Sequence, residues 1–179
     1  MMLNDRKFCF IICTNSSLYY EECVRYIERL QIPEGYEVEL LEIQQAKSLA
    51  GAYNEAMQST DAKYKIYLHQ DVFILYPHFL QSVLDIFSID DTIGMIGMVG
   101  NEKMSVDGVM WHEKGIGNLY GLEEGTKECE ESPYFTYRYH ITDGLWKAET
   151  VDGLMMITAV DIPWREELFD GWDFYDVSQ

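Results

Sequence analysis

Apolar and polar positions fall into blocks along this chain, and the blocks differ in period. Phe8-Cys9-Phe10-Ile11-Ile12-Cys13 is a continuous apolar run, the pattern of a strand buried on both faces. The polar turn Thr14-Asn15-Ser16-Ser17 follows, and Ser17 offers a cap for the next helix. From Leu18 to Leu30, Tyr20, Val24, Ile27 and Leu30 recur near helical spacing, with Glu21 and Glu22 in the first turn, where the helix dipole favours them. Pro33-Glu34-Gly35 breaks the chain. Tyr36–Ile43 then predicts a second strand, and Ser48–Gln58 a helix with Leu49, Tyr53, Ala56 and Met57 on one side. The third strand is Lys65–Leu75, apolar at both ends and interrupted by His69-Gln70-Asp71. Pro77 suits the first turn of another helix, whose inner stripe is Phe79, Val83, Leu84 and Phe87. Ile93–Val99 reads as a short glycine-rich strand.

Strand and helix therefore alternate, which argues for a parallel sheet with right-handed crossovers. No GxGxxG follows the first strand and no GxxxxGK[ST] occurs, so neither a dinucleotide fold nor a P-loop is indicated. From Gly100 to Glu149 glycine, acidic residues and aromatics dominate and no period survives. A stretch of that length in a compact domain is expected to fold over or beside a site. Val151–Ile157 restores a strand, Ile162-Pro163-Trp164-Arg165 is a turn with an aromatic anchor, and Phe169–Asp176 is aromatic and acidic. With no internal repeat and no linker, residues 1–179 read as one domain.

Asp71 is the position that needs a reason. A carboxylate at the end of a buried strand is placed to hold a metal ion or a polar ligand, because open α/β sheets bind ligands beyond the carboxyl ends of their strands. An Asp that merely forms the following turn fits the same pattern equally well.

Composition narrows the functions. A hydrophobic content of 47% and an aromatic content of 14% exclude a disordered chain. The 31 acidic against 13 basic residues, net −18, repel nucleic acid, and no basic patch relieves this. An anionic substrate remains compatible if a divalent cation bridges it to carboxylates. Cysteines at 9, 13, 23 and 129 form no CxxC pair, so a zinc ribbon is not indicated; Cys9 and Cys13 read as small core residues, and a reduced, cytoplasmic setting is expected. Arg6 and Lys7 before the first apolar run do not make a signal peptide, because the run is too short. No segment approaches the roughly 20 apolar residues of a membrane span.

Taken in order, Phe8–Asn15, Ala46–Ala56, Tyr67–Val72 and the C-terminal VDGLMMITAVDIPWREELFDGWDFYDVSQ resemble a glycosyltransferase family 2-like domain of the GT-A fold, in its streptomycin-biosynthesis-type subgroup. The resemblance implies an α/β fold with a mostly parallel central sheet and helices on both faces. In this fold further elements often follow the C-terminal base motif, and the chain is expected to stop short of them. The resemblance implies a nucleotide-sugar donor, a UDP-sugar foremost, and a glycan or small-molecule acceptor, as in polysaccharide or glycoconjugate biosynthesis. Thr14, Asn15, Glu42, Asn54 and Gln70 fall at its nucleotide-contacting positions. Asp71 matches the last acid of the Asp-Xaa-Asp motif that holds Mn²⁺ or Mg²⁺ on the diphosphate. His69 stands where the first acid would be, either a nitrogen ligand or a residue turned into the core.

Chemistry asks for the same parts. A nucleoside diphosphate leaves only once its charge is neutralised, and an attacking hydroxyl must lose its proton to a base on the opposite side. Asp176 resembles the family's base, with Tyr175 in place of the acid that usually precedes it, and Asp173 is its rival. Asp152 and Gly153 match a strand position near the sugars. Trp172 and Trp164 suit sugar stacking or simple anchoring. His112-Glu113 lacks the second His of HExxH, His140 among tyrosines reads as structural or acceptor-facing, and the acids between 123 and 131 read as a solvated surface.

The reading is thus a metal-assisted, inverting glycosyltransferase. A non-catalytic nucleotide- or sugar-binding module of the same fold is its rival. A nucleotidyltransferase would want a glycine- and lysine- or arginine-rich loop where Thr14–Ser17 stands.

Overall fold

The computed structural model describes residues 2–110, 115–122, 134–138, 144–173 and 175–176. In chain order the elements are β1 (Asn4–Thr14), α1 (Ser17–Ile27), β2 (Glu37–Gln44), α2 (Leu49–Ser59), β3 (Ala62–Leu68), α3 (Phe79–Ile89), β4 (Met95–Gly97), β5 (Val99–Asn101), β6 (Gly115–Leu122), β7 (Tyr134–Arg138), β8 (Thr150–Val151) and β9 (Met155–Thr158). Two compact units emerge, residues 1–96 with 153–179, and residues 97–152.

The first unit is built on the sheet β2-β1-β3-β9-β4. β1 runs parallel to β2, with Phe8 opposite Val38 and Thr14 opposite Gln44, and parallel to β3, with Phe10 opposite Ile66. β9 is antiparallel to β3, Leu68 lying opposite Met155. Side chains of a strand alternate between faces. Phe8, Phe10 and Ile12 of β1 join Tyr64, Ile66 and Leu68 of β3 in one core with Cys23 and Ile27 of α1 and Leu80 and Val83 of α3. The intervening residue Tyr67 turns to the other face, where the ring of Tyr53 of α2 packs against it, tilted, with centroids 4.8 Å apart. Helices thus cover both faces of a mostly parallel sheet, as the strand–helix alternation predicts. This is also why Phe8 to Ile12 are fully buried without a polar interruption.

Local chemistry sets the boundaries. Ser48 caps α2, its side chain accepting from the Gly51 amide at 3.2 Å. The cap position of α1 is Ser16 rather than the expected Ser17, and Ser16 makes no side-chain cap bond. The cap position of α3 is His78, so Pro77 precedes the helix instead of opening it. The third strand ends at Leu68; a turn follows at Gln70–Asp71, and of the apolar residues beyond it Val72 and Ile74 pack on the core while Phe73 and Leu75 are exposed, so the sheet is not continued. Lys65, inside β3 and fully buried, donates from Nζ to the Ala62 carbonyl and to Asp161, each at 2.6 Å, which satisfies a charge that burial would otherwise penalise.

The second unit carries the antiparallel sheet β7-β6-β5-β8. The expected strand Ile93–Val99 divides into β4 and β5, which belong to different sheets, and Val151–Ile157 divides into β8 and β9. The described residues of the stretch 100–149, aperiodic in sequence, supply strands where glycines let backbones meet. A Cβ on Gly100 would lie 2.1 Å from the Thr150 carbonyl oxygen, and one on Gly117 (φ +104) equally close to that of Met98. Buried Asn101 donates from Nδ2 to the Met110 carbonyl at 3.0 Å. His112, Glu113, Cys129, His140 and the acids of 123–131 lie outside the described residues. Among the described residues no helix is long and apolar enough to cross a membrane.

Candidate functional site

The carboxyl ends of β1, β2 and β3 adjoin because the three strands are parallel neighbours. Thr14 closes β1, and its hydroxyl donates to Oε1 of Glu42 at 3.0 Å. Gln44 Nε2 donates to the same oxygen at 2.8 Å, so an exposed carboxylate is held in one orientation by two donors. Gln70, just beyond β3, accepts the backbone amides of Asn15 and Ser16 through Oε1, both at 3.0 Å, and returns Nε2 to the Asn15 side-chain oxygen. The turn after β1 and the turn after β3 are thereby stitched side chain to backbone. Thr14, Asn15, Glu42 and Gln70 form one cluster at this edge.

Asp71 is exposed beside that stitch. Cys23 beneath it donates to the Val72 carbonyl at 3.3 Å, and its thiol is pushed up to about 12, by burial first and by the Asp71 charge second.

His69 faces a different set. Its amide donates to the Leu154 carbonyl at 3.0 Å, and its Nε2 lies 3.0 Å from the Tyr175 hydroxyl. Tyr175 is buried against Tyr53 and Trp164, with ring centroids 5.7 and 5.9 Å away. Next to it, the Asp176 carboxylate accepts the Gly153 amide at 3.0 Å. The end of β3, the residue leading into β9 and the C-terminal Tyr175-Asp176 thus meet, which brings Asp176 to the same edge as His69 and its neighbour Asp71.

Other candidates stand elsewhere. The Asn54 amide is 8% exposed and spent on a single backbone clasp, accepting from the Trp164 amide at 2.8 Å and donating to the Trp164 carbonyl at 2.9 Å. Trp164 itself is buried against Tyr53 and Tyr67, so of its two expected uses it serves as the anchor. Trp172 and Asp173 are exposed, in a stretch tied to the start of α2 by the Leu49 amide donating to the Gly171 carbonyl at 3.1 Å. Asp152 belongs to the second unit, where its amide donates to the Val99 carbonyl at 2.7 Å.

Among the described residues no group of three or more His, Cys, Asp or Glu could hold a metal ion. Asp71 offers a single exposed carboxylate at this edge, the least that a Mg²⁺ or Mn²⁺ completing its shell with phosphates and water would need. His69 has its Nε2 engaged by Tyr175, which leaves Nδ1 as its only nitrogen for any such role.

Tyr175 and Gln70 have organising roles that periodicity could not reveal. The signal was available only as a departure from pattern, a tyrosine where an acid is usual and an amide between two motif positions.

No curated protein matches the chain. Among solved structures, a mannosyltransferase from Pyrobaculum calidifontis in complex with GDP-Man and Mn²⁺ is similar over 54% of this chain, at 14% identity and a TM-score of 0.44. The match spans 36% of that protein's length. Residues 9–179, nearly the whole sequence, match the model of a family described as glycosyltransferase-like, and the chain therefore belongs to that glycosyltransferase-like family.

Proposed function

We propose that this chain is a GT-A-type domain, of the streptomycin-biosynthesis-type subgroup, that transfers a sugar from a nucleotide-sugar to an acceptor hydroxyl with inversion. The observation that carries the reading is the convergence at His69: Asp71 follows it on the β3 turn, and Tyr175 and Gly153 hold Asp176 beside it. A transfer site needs two carboxylates with separate duties, one toward the leaving diphosphate and one toward the acceptor. Asp71 would hold the divalent ion, which when bound neutralises diphosphate charge. Asp176 accepts the acceptor proton as the acceptor oxygen bonds to the anomeric carbon; the bond from that carbon to the diphosphate breaks and its electron pair leaves with the phosphate oxygen. Thr14, Asn15, Glu42 and Gln70 receive the nucleoside, Glu42 as acceptor for a base or ribose donor. Asp152, Gly153 and Trp172 serve the sugar or acceptor side. The thiols of Cys9, Cys13 and Cys23 are unpaired, which suits a cytoplasmic setting.

A second reading, a nucleotide- or sugar-binding module without turnover, is favoured by one observation. Both positions where the family usually adds an acid carry other residues, His69 and Tyr175, and these bond to each other.

The test is transfer and donor binding with UDP-, GDP- and dTDP-sugars and Mn²⁺. Asp176→Asn should lose about 10²–10⁴-fold in rate with donor affinity unchanged. Asp173→Asn is the control; if it alone abolishes transfer, the base is Asp173. Binding without transfer to any acceptor establishes the module, and no binding of any donor ends both readings.

A further inference from the structure

We infer that Tyr175 is a positioning residue, whose hydroxyl fastens the segment bearing Asp176 to the end of β3. This rests on the reading of Asp176 as base and adds to it how that acid is held. Three observations carry the inference. The Tyr175 hydroxyl lies 3.0 Å from His69 Nε2 and 3.5 Å from the Gly153 carbonyl oxygen, so one hydroxyl bridges the β3 turn and the residue that enters β9. With the imidazole protonated on Nε2, the bonds run in one direction: His69 N–H donates to the phenol oxygen, and the phenol O–H donates to Gly153.

The second observation is the fit at Gly153. Its φ is not in the left-handed region, so backbone conformation does not demand glycine there. Space does: a Cβ at 153 would lie 2.1 Å from the Tyr175 hydroxyl oxygen and 3.3 Å from Asp176 Oδ2. The chain leaves out a side chain where the hydroxyl and the carboxylate both approach.

The third is that Gly153 is held twice by adjacent residues. Its carbonyl faces Tyr175, and its amide donates to Asp176 at 3.0 Å. The ring of Tyr175 is fixed independently by Tyr53 and Trp164, so the hydroxyl has little freedom to leave. Two residues that depart from the family's acidic pattern are therefore complementary here, a donor-capable imidazole and a phenol in place of acids that would repel each other at this distance.

The Gly153 amide reports this arrangement directly, because its exchange with solvent requires the Asp176 bond to open. Hydrogen exchange is measured on the whole protein without donor or metal, in wild type, Tyr175→Phe, His69→Ala and the double variant. Tyr175→Phe keeps the ring and removes one oxygen. It should speed exchange at Gly153 at least about 10-fold while the amides of β1 and β3 stay protected, since only the local bonds to His69 and Gly153 are lost. His69→Ala removes only the first of the two bonds and should give a gain no larger than that of Tyr175→Phe, and the double variant no more than Tyr175→Phe alone, because the His69 ring acts through the Tyr175 hydroxyl. In transfer assays, Tyr175→Phe should lower kcat by about 10²-fold at unchanged donor KM, the effect of a misplaced reacting group rather than of lost binding. Unchanged exchange at Gly153 in Tyr175→Phe overturns the inference, as does additivity in the double variant. Faster exchange with unaltered kcat upholds the fastening and instead removes Asp176 from the role of base.

Discussion

Asp71 shows how much can hang on one exposed carboxylate. It stands exposed at the turn after β3, beside the Gln70 stitch and outside the packed core. Asp71→Ala should therefore leave the melting temperature unchanged or slightly higher, since removing one of many acids relieves repulsion. It should abolish the Mn²⁺-dependent part of donor binding. Calorimetry with and without Mn²⁺ checks this; equal nucleotide affinity in variant and wild type would take Asp71 out of the site. The same residue shows what was legible at this scale. A charge at the end of an apolar run is visible in sequence, because burial makes it costly and so informative. The uses of Gln70 and Asn54 were not, because an amide carries no net charge and bonds equally well to ligand or backbone.

At the scale of elements, the Asn54–Trp164 clasp joins α2 to the segment after β9. Both bonds are buried, and truncation leaves the Trp164 amide and carbonyl without those partners. Asn54→Ala should cost about 2–4 kcal/mol, the penalty of stranding buried polar groups. Urea unfolding measures it. Donor affinity of the folded variant should change little; a selective loss of nucleotide affinity without loss of stability would return Asn54 to the nucleotide. The elements themselves were largely foreseeable. β1, β2, α1, α2 and α3 appear within a few residues of their periodic signals, because each buries a regular face. The divided strands β4/β5 and β8/β9 were not, since a change of sheet in mid-run depends on partners distant in sequence. Residues 100–149 failed for a related reason: Gly100 and Gly117 serve strand contacts by lacking a side chain, and what is missing leaves no hydrophobic period.

For the molecule as a whole, charge sets the response to pH. Lys7 lies 2.8 Å from Asp61 and 3.1 Å from Glu39. The hydrogen bond from Lys7 is the main cause that holds Asp61 below its ordinary 3.8. For Glu39 burial pushes upward, but hydrogen bonds from Thr60 and Lys7 outweigh it and the carboxyl ends below 4.5. Lys7 is raised by Asp61 most of all. The signs follow from linkage. A depressed carboxyl contributes stability that is complete above its unfolded value and fades as pH falls through the folded one; the raised lysine contributes until strongly alkaline pH. Stability should thus hold from neutral pH to about 5 and fall below about 4.5. Lys7→Met should flatten that acid limb, and added salt should shrink the difference because these groups are partly exposed. Thermal unfolding from pH 7 to 3 checks it; parallel curves for variant and wild type would remove this triad as a cause.

By itself, the sequence indicated the alternation β1-α1-β2-α2-β3-α3, the both-face burial of β1 and the acidity that argues against a nucleic-acid partner. These follow from local period and summed charge, which need no knowledge of neighbours. It also marked Thr14, Glu42 and Asp71 as strand-end residues. Only the tertiary structure decided which of them meet, that β9 enters the sheet antiparallel beside β3, and that His69 and Tyr175, 106 positions apart, share a hydrogen bond. Such pairings are set by how strands register and where the returning chain is held, and no local period in either segment encodes the other.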